Sequence, residues 1–119
     1  MPSERSRAIL EDMVNLSVEV IEYCQTLSLP ASVVNQITKS ASSIGANFSE
    51  AQDASSRKDF INKIYIAKKE SAETKYWLAV IAKISGPSRS CDNLSQKVQN
   101  YTMMFQKIIN TSKGPIVNC

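Results

Sequence analysis

Histidine is absent from all 119 residues, and glycine appears only three times, proline four times and tryptophan once. Without imidazole the chain lacks the ligands for a Cys/His zinc site and for the Glu-x-x-His pairs of a di-iron bundle. Cysteine is sparse too: Cys24, Cys91 and Cys119 are odd in number, share no spacing and form no CxxC. They read as reduced thiols of an intracellular protein. The scarcity of Gly and Pro leaves few turn signals, so long uninterrupted elements are expected. No stretch approaches eighteen apolar residues, and the opening "MPSERSRAILEDM" mixes charges where a leader would be apolar. The expectation is a soluble, cytoplasmic protein with no membrane partner.

What is present suits a single domain with one core. The formal net charge is +3, too small to demand nucleic acid, but it is unevenly spread: residues 1–27 carry about −3 and residues 57–89 about +5. The middle of the chain is its basic part.

Apolar residues recur at threes and fours in four segments. Ile9, Met13, Leu16, Val20, Cys24 and Leu27 mark a first helix over about 3–27, with an acidic outer side. "LSLP" interrupts it, and Pro30 fits the first turn of a second helix over about 30–53. Its seam is Val34, Ile37, Ala41, Ile44, Phe48 and Ala51. Ser56 followed by Asp59 resembles a capping box and opens a third helix over about 57–84. Here the seam is Phe60, Ile64, Ala67, Ser71, Thr74, Leu78 and Ile81, and Gly86-Pro87 ends it. A fourth helix, about 90–112, presents Leu94, Val98, Tyr101, Phe105, Ile108 and Ile109 and leaves a frayed tail at 113–119. Four amphipathic helices on short links bury their stripes best as an all-α, antiparallel up-and-down four-helix bundle.

The stretch "SASSIGANFSEA" at 40–51 poses the choice between a phosphate-cradling loop and a helix with small side chains on one face. A phosphate loop needs several glycines ahead of a helix and usually a following lysine. The 3-4 spacing instead runs straight through Gly45, so the helix reading is preferred, with Gly45 marking the close approach of another backbone.

Ser43, Ile44, Asn47 and Glu50, then Phe60, Tyr65-Ile66-Ala67, Glu73 and Leu78, form a pattern that resembles one family. It is that of the four-helix-bundle proteins encoded in intervening sequences of bacterial 23S ribosomal RNA genes. "KESAETKYWL", with Glu70 and Trp77, is similar to a common branch of it, and the resemblance spans about 8–112. It departs where the family has glycine and then loop arginines: this chain has Ala51, Ala54 and Ser55, keeping only Arg57 and Lys58 a little later. The family's fold is similar to the accessory protein of diversity-generating retroelements, a pentameric barrel that binds nucleic acid and a reverse transcriptase. The resemblance therefore implies a non-catalytic homo-oligomer, a pentamer by analogy, with RNA or a nucleic-acid-processing protein as partner.

At 100° per residue, Arg57, Lys58, Lys68, Lys69, Lys75 and Lys83 fall within about 120° of the third helix, with Tyr65 and Tyr76 among them. Such a face binds phosphates and stacks unpaired bases. The plainer readings are a solvated face or a structural assembly surface. Trp77, Tyr76 and Ile66 form an apolar flank beside the seam, a candidate for subunit contact or extra core packing. Glu50-x-x-Asp53 and Glu70-x-x-Glu73 each set two acids one turn apart, the pattern by which all-α nucleotide pyrophosphohydrolases hold Mg²⁺. With no phosphate clamp beside them, the expectation is no cofactor and no metal. Asn47, Glu50, Glu70 and Glu73 are instead expected to serve as polar ties across helices or subunits, paired with Tyr65, Tyr76, Arg57 or backbone.

Overall fold

The computed structural model describes residues 3–117, and the side chains of residues 3–112. It contains four helices, α1 Glu4–Gln25, α2 Ala31–Gln52, α3 Arg57–Ser85 and α4 Arg89–Val117, and no strand among the described residues. Side chains close most helix starts. Ser3 Oγ accepts the Ser6 N–H of α1 at 3.0 Å. Ser56 Oγ accepts the Asp59 N–H of α3 at 3.0 Å, while the Asp59 carboxylate accepts the Ser55 N–H at 3.1 Å. Ser88 Oγ accepts the Cys91 N–H of α4 at 3.1 Å. These bonds satisfy donors that a helix leaves unpaired at its first turn.

Three expectations are corrected. Pro30 caps α2 from outside rather than sitting in its first turn, and its carbonyl accepts the N–H groups of Val33 and Val34. The α2 seam begins at buried Val33, with Val34 only half-buried. The fourth helix does not stop near 112 but continues through Val117. Pro115 falls within this last stretch and can donate no backbone hydrogen bond there. Residues 118 and 119 of the expected tail lie outside the described residues.

Successive helices pack side by side: α1 on α2, α2 on α3, and α3 on α4. The seam between α1 and α4 is the least closely packed. Every cross-helix contact runs in reversed order, as in Ser17 with Ala41, Glu50 with Lys63, Lys68 with Gln106, and Glu19 with Lys97. The bundle is thus antiparallel and up-and-down, a rod about 52 × 25 × 23 Å.

The core follows the 3-4 seams: Met13, Leu16 and Val20 of α1, Ile37, Ile44 and Phe48 of α2, Ile64, Leu78 and Ile81 of α3, and Val98, Phe105 and Ile109 of α4. At Gly45 α1 and α2 approach closely, since a Cβ there would lie 3.2 Å from Met13 Cβ. Three polar residues, Ser40, Ser71 and Thr74, are fully buried. Thr74 Oγ1 donates to Ser40 Oγ at 2.9 Å, and Ser40 Oγ to the Ile37 carbonyl at 3.2 Å. The Ser71 and Thr102 hydroxyls share a 2.7 Å bond between α3 and α4. No buried side-chain nitrogen or oxygen among the described residues lacks a partner.

Candidate nucleic-acid interface

The outer side of α3 carries the chain's main concentration of cations, and the neighbouring helices divide it in two. Lys68 and Lys75 lean toward α4, where their ammonium groups donate to Gln106 Oε1 and to Gln99 Oε1, the latter at 2.6 Å. Ser71 and Thr102, between these pairs, continue the same polar border. Two members of the expected stripe are therefore partly committed to holding α3 against α4.

The rest faces outward. Lys58, Tyr65, Lys69, Tyr76 and Lys83 fall within an arc of about 40° and alternate cation with aromatic along about 37 Å of helix. All five are exposed, Tyr65 to 41% and Tyr76 to 61%. Lys58, Lys69 and Lys83, like Arg57 at the helix start, have no hydrogen-bond or ion-pair partner among the described residues. A shallow recess beside Tyr65 is lined by Ser56, Lys58, Asp59, Ile61 and Asn62. Tyr76 is held edge-on to Trp77, ring centroids 5.1 Å apart and planes at 80°. Trp77 in turn packs against the core and donates its indole N–H to Glu73 at 3.3 Å. One face of Tyr76 is thus oriented by a ring that is itself anchored.

The carboxylates and amide expected to tie helices together behave differently from one another. Glu50 does bridge α2 to α3, but through Lys63 at 3.0 Å rather than through Tyr65, Tyr76 or Arg57. This ion pair raises the Lys63 pKa, because the ammonium gains a hydrogen bond and an opposite charge. Asn47 Nδ2 donates to the Ser43 carbonyl of its own helix at 2.8 Å. Glu73 likewise serves its own helix by accepting from Trp77. The Glu70 carboxylate has no hydrogen-bond partner among the described residues, and its carbonyl lies 2.8 Å from Thr74 Oγ1, whose single proton it shares with Ser40 Oγ. Within the single chain Asn47 and Glu73 thus bond their own helix, where a partner one turn away costs less side-chain entropy than a reach to a neighbouring helix. Small hydroxyls add further cross-helix ties, Ser40 with Thr74 and Ser71 with Thr102, although the sequence pattern marks Ser71 and Thr74 only as seam positions.

Among the described residues no three His, Cys, Asp or Glu side chains gather in a group that could hold a metal ion. Cys24 and Cys91 are buried free thiols, and burial raises both pKa values, which disfavours the thiolate. Cys91 Sγ donates to the Leu78 carbonyl at 3.4 Å. No helix among the described residues is long and apolar enough to cross a membrane.

These features define an antiparallel four-helix bundle with an outward line of alternating lysine and tyrosine on its third helix. The chain belongs to the 23S rRNA-intervening sequence protein family, whose pattern matches residues 5–107. It is also similar to the crystal structure of a protein of unknown function from the S23 ribosomal protein family of Bacteroides thetaiotaomicron. The two share 28% identity with a TM-score of 0.76, over 88% of this chain and 97% of the other. No curated protein matches the chain.

Proposed function

We propose that this protein is a non-catalytic binding module of the cytoplasm that holds single-stranded RNA across the outer face of α3. The observation that carries this reading is the line Lys58, Tyr65, Lys69, Tyr76 and Lys83, exposed and with its lysines unpaired among the described residues. Lysines so placed gain by exchanging counterions for phosphates, and the intervening tyrosines offer flat faces to unpaired bases. Membership in a family named for an rRNA intervening sequence accords with an RNA partner. The direct test is fluorescence anisotropy with an unstructured RNA oligomer and a matched duplex. Replacing Lys58, Lys69 and Lys83 together by Gln lowers affinity for both, whereas Tyr65→Ala with Tyr76→Ala weakens the single strand selectively. Equal binding by all variants would remove the assignment.

A second reading, a homo-oligomeric assembly scaffold, draws on α1. Val14, Val18 and Ile21 stand one turn apart on its outer flank at 54%, 46% and 38% exposure. An apolar stripe of this kind on a bundle otherwise rimmed by charge suits contact with another copy. The Trp77 flank is less suited to that role, because the indole is half-buried against its own core. The retroelement resemblance implies five copies. Sedimentation of the wild type against Val18→Glu tests the stripe: the wild type is expected above monomer mass and the variant closer to it, and a wild-type monomer at micromolar concentration contradicts the reading.

A further inference from the structure

The loosely packed α1–α4 seam opens, at the end of the bundle where α1 begins, into a cleft of about 410 Å³. Its floor is apolar, formed by Ile9, Phe48, Phe60, Met104 and Ile108. Phe48 is held from behind by the Phe105 ring, centroids 6.3 Å apart. Two cations, Arg5 and Lys107, stand at the margin, and no acidic residue among the described residues lines the cleft. Neither cation has a hydrogen-bond or ion-pair partner among the described residues. Arg5 also lies in the first turn of α1, where the helix dipole disfavours positive charge and favours an anion. A volume in the small-ligand range, an apolar floor and a one-signed rim describe a site for a molecule with a tail and a charged end.

We infer that this cleft binds a single-chain amphiphile, its alkyl tail on the Ile9–Phe60–Met104 floor and its anionic head, carboxylate or phosphate, between Arg5 and Lys107. Tail burial removes the rest of a half-buried apolar floor from water, and the head supplies the negative charge that the rim lacks. Because α1 and α4 otherwise touch least of any neighbouring pair, an occupant would join the two helices and stabilise the bundle in proportion to its occupancy.

The experiment is calorimetric titration and thermal unfolding of the full chain with decanoate and with decyl phosphate, both below their micelle concentrations, against decanol and decyltrimethylammonium. The expected result is saturable uptake of one anion per chain, with Tm rising as the site fills and little response to the neutral or cationic analogue. The preferred head is whichever anion binds more tightly. Arg5→Glu with Lys107→Glu lowers affinity about tenfold or more, and Met104→Trp, which fills the floor, removes uptake. Should Met104→Trp fail to fold, the exposed-charge variant still decides. Decanol binding as tightly as decanoate, anion binding unchanged in the double charge variant, or no saturable uptake by the wild type each overturns the site. The triple Gln variant of Lys58, Lys69 and Lys83 retains full uptake, which keeps this test separate from that of the RNA face.

Discussion

At the scale of single residues, the buried hydroxyls Ser40 and Thr74 are the most consequential polar pair, because both are fully enclosed and bonded across α2 and α3. Thr74→Val is expected to cost about 1–2 kcal/mol, since it deprives Ser40 of a donor inside the core. Ser40→Ala should cost a similar amount, and the double variant less than the two together. A double-mutant cycle in urea checks this, and strict additivity would show that the bond contributes nothing. A second residue-scale prediction concerns Tyr101, whose phenol is pushed up to about 12 by burial and by the nearby carboxylates of Asp12 and Glu19. The unfolded chain ionises this group near pH 10, the folded chain two units later. Its stabilising contribution is thus complete below pH 10 and lost as pH rises from about 10 to 12. Tyr101→Phe flattens that decline in a series of denaturation midpoints, though not wholly, because burial also raises Tyr23, Cys24 and Cys91. An unaltered decline would contradict the assignment.

At the scale of elements, two glycines do different work. Gly45 lets α1 and α2 approach, and Gly86 ends α3 at φ +87° and ψ 154°, a conformation open to little besides glycine. Gly45→Val should destabilise by about 2 kcal/mol, because its bulk meets the fixed Cβ of Met13 rather than a mobile side-chain tip. Gly86→Ala should cost about 1–3 kcal/mol although the added methyl meets nothing within 4 Å. Asparagine at 86 should not rescue it, since its left-handed preference lies at a much lower ψ. Chemical denaturation of the three variants measures these effects.

Much at this scale was legible in the sequence. The 3-4 spacing located all four helices, and the Ser56–Asp59 pair and Gly86 set the bounds of α3. The end of α4 was not, because Gly114 and Pro115 weaken a helix without dictating where it stops. A helical wheel also cannot show where the neighbouring helix lies, so Lys68 and Lys75 were grouped with outward lysines. The missed signal was register: Lys68 and Lys75 are seven residues apart, and so are Gln99 and Gln106 in reversed order, as antiparallel packing requires. Asn47 and Glu73 make a related point with bonds inside their own helices. A polar residue beside a seam can bond its own helix as readily as the next.

At the scale of the whole molecule, charge is sorted by helix. Acidic α1 meets α4 through the Glu19–Lys97 ion pair at 2.6 Å, and Tyr23 meets the α4 cap through Ser88 at 3.2 Å. The remaining unpaired cations of α3 face water on one side of the rod. Lys58, Lys69 and Lys83 are exposed and make no ion pair among the described residues, so folding should not depend on their charge. Their neutralisation should leave the thermal unfolding midpoint nearly unchanged. The most direct test of the account is the salt dependence of binding to unstructured RNA. Wild-type affinity should fall linearly on a log–log plot against salt, and the slope of the Lys58→Gln, Lys69→Gln, Lys83→Gln variant should be shallower by about two, given about 0.7 per phosphate contact on a single strand. An identical slope in that variant, or the same reduction from neutralising Lys39, Lys97 and Lys107 instead, would contradict it.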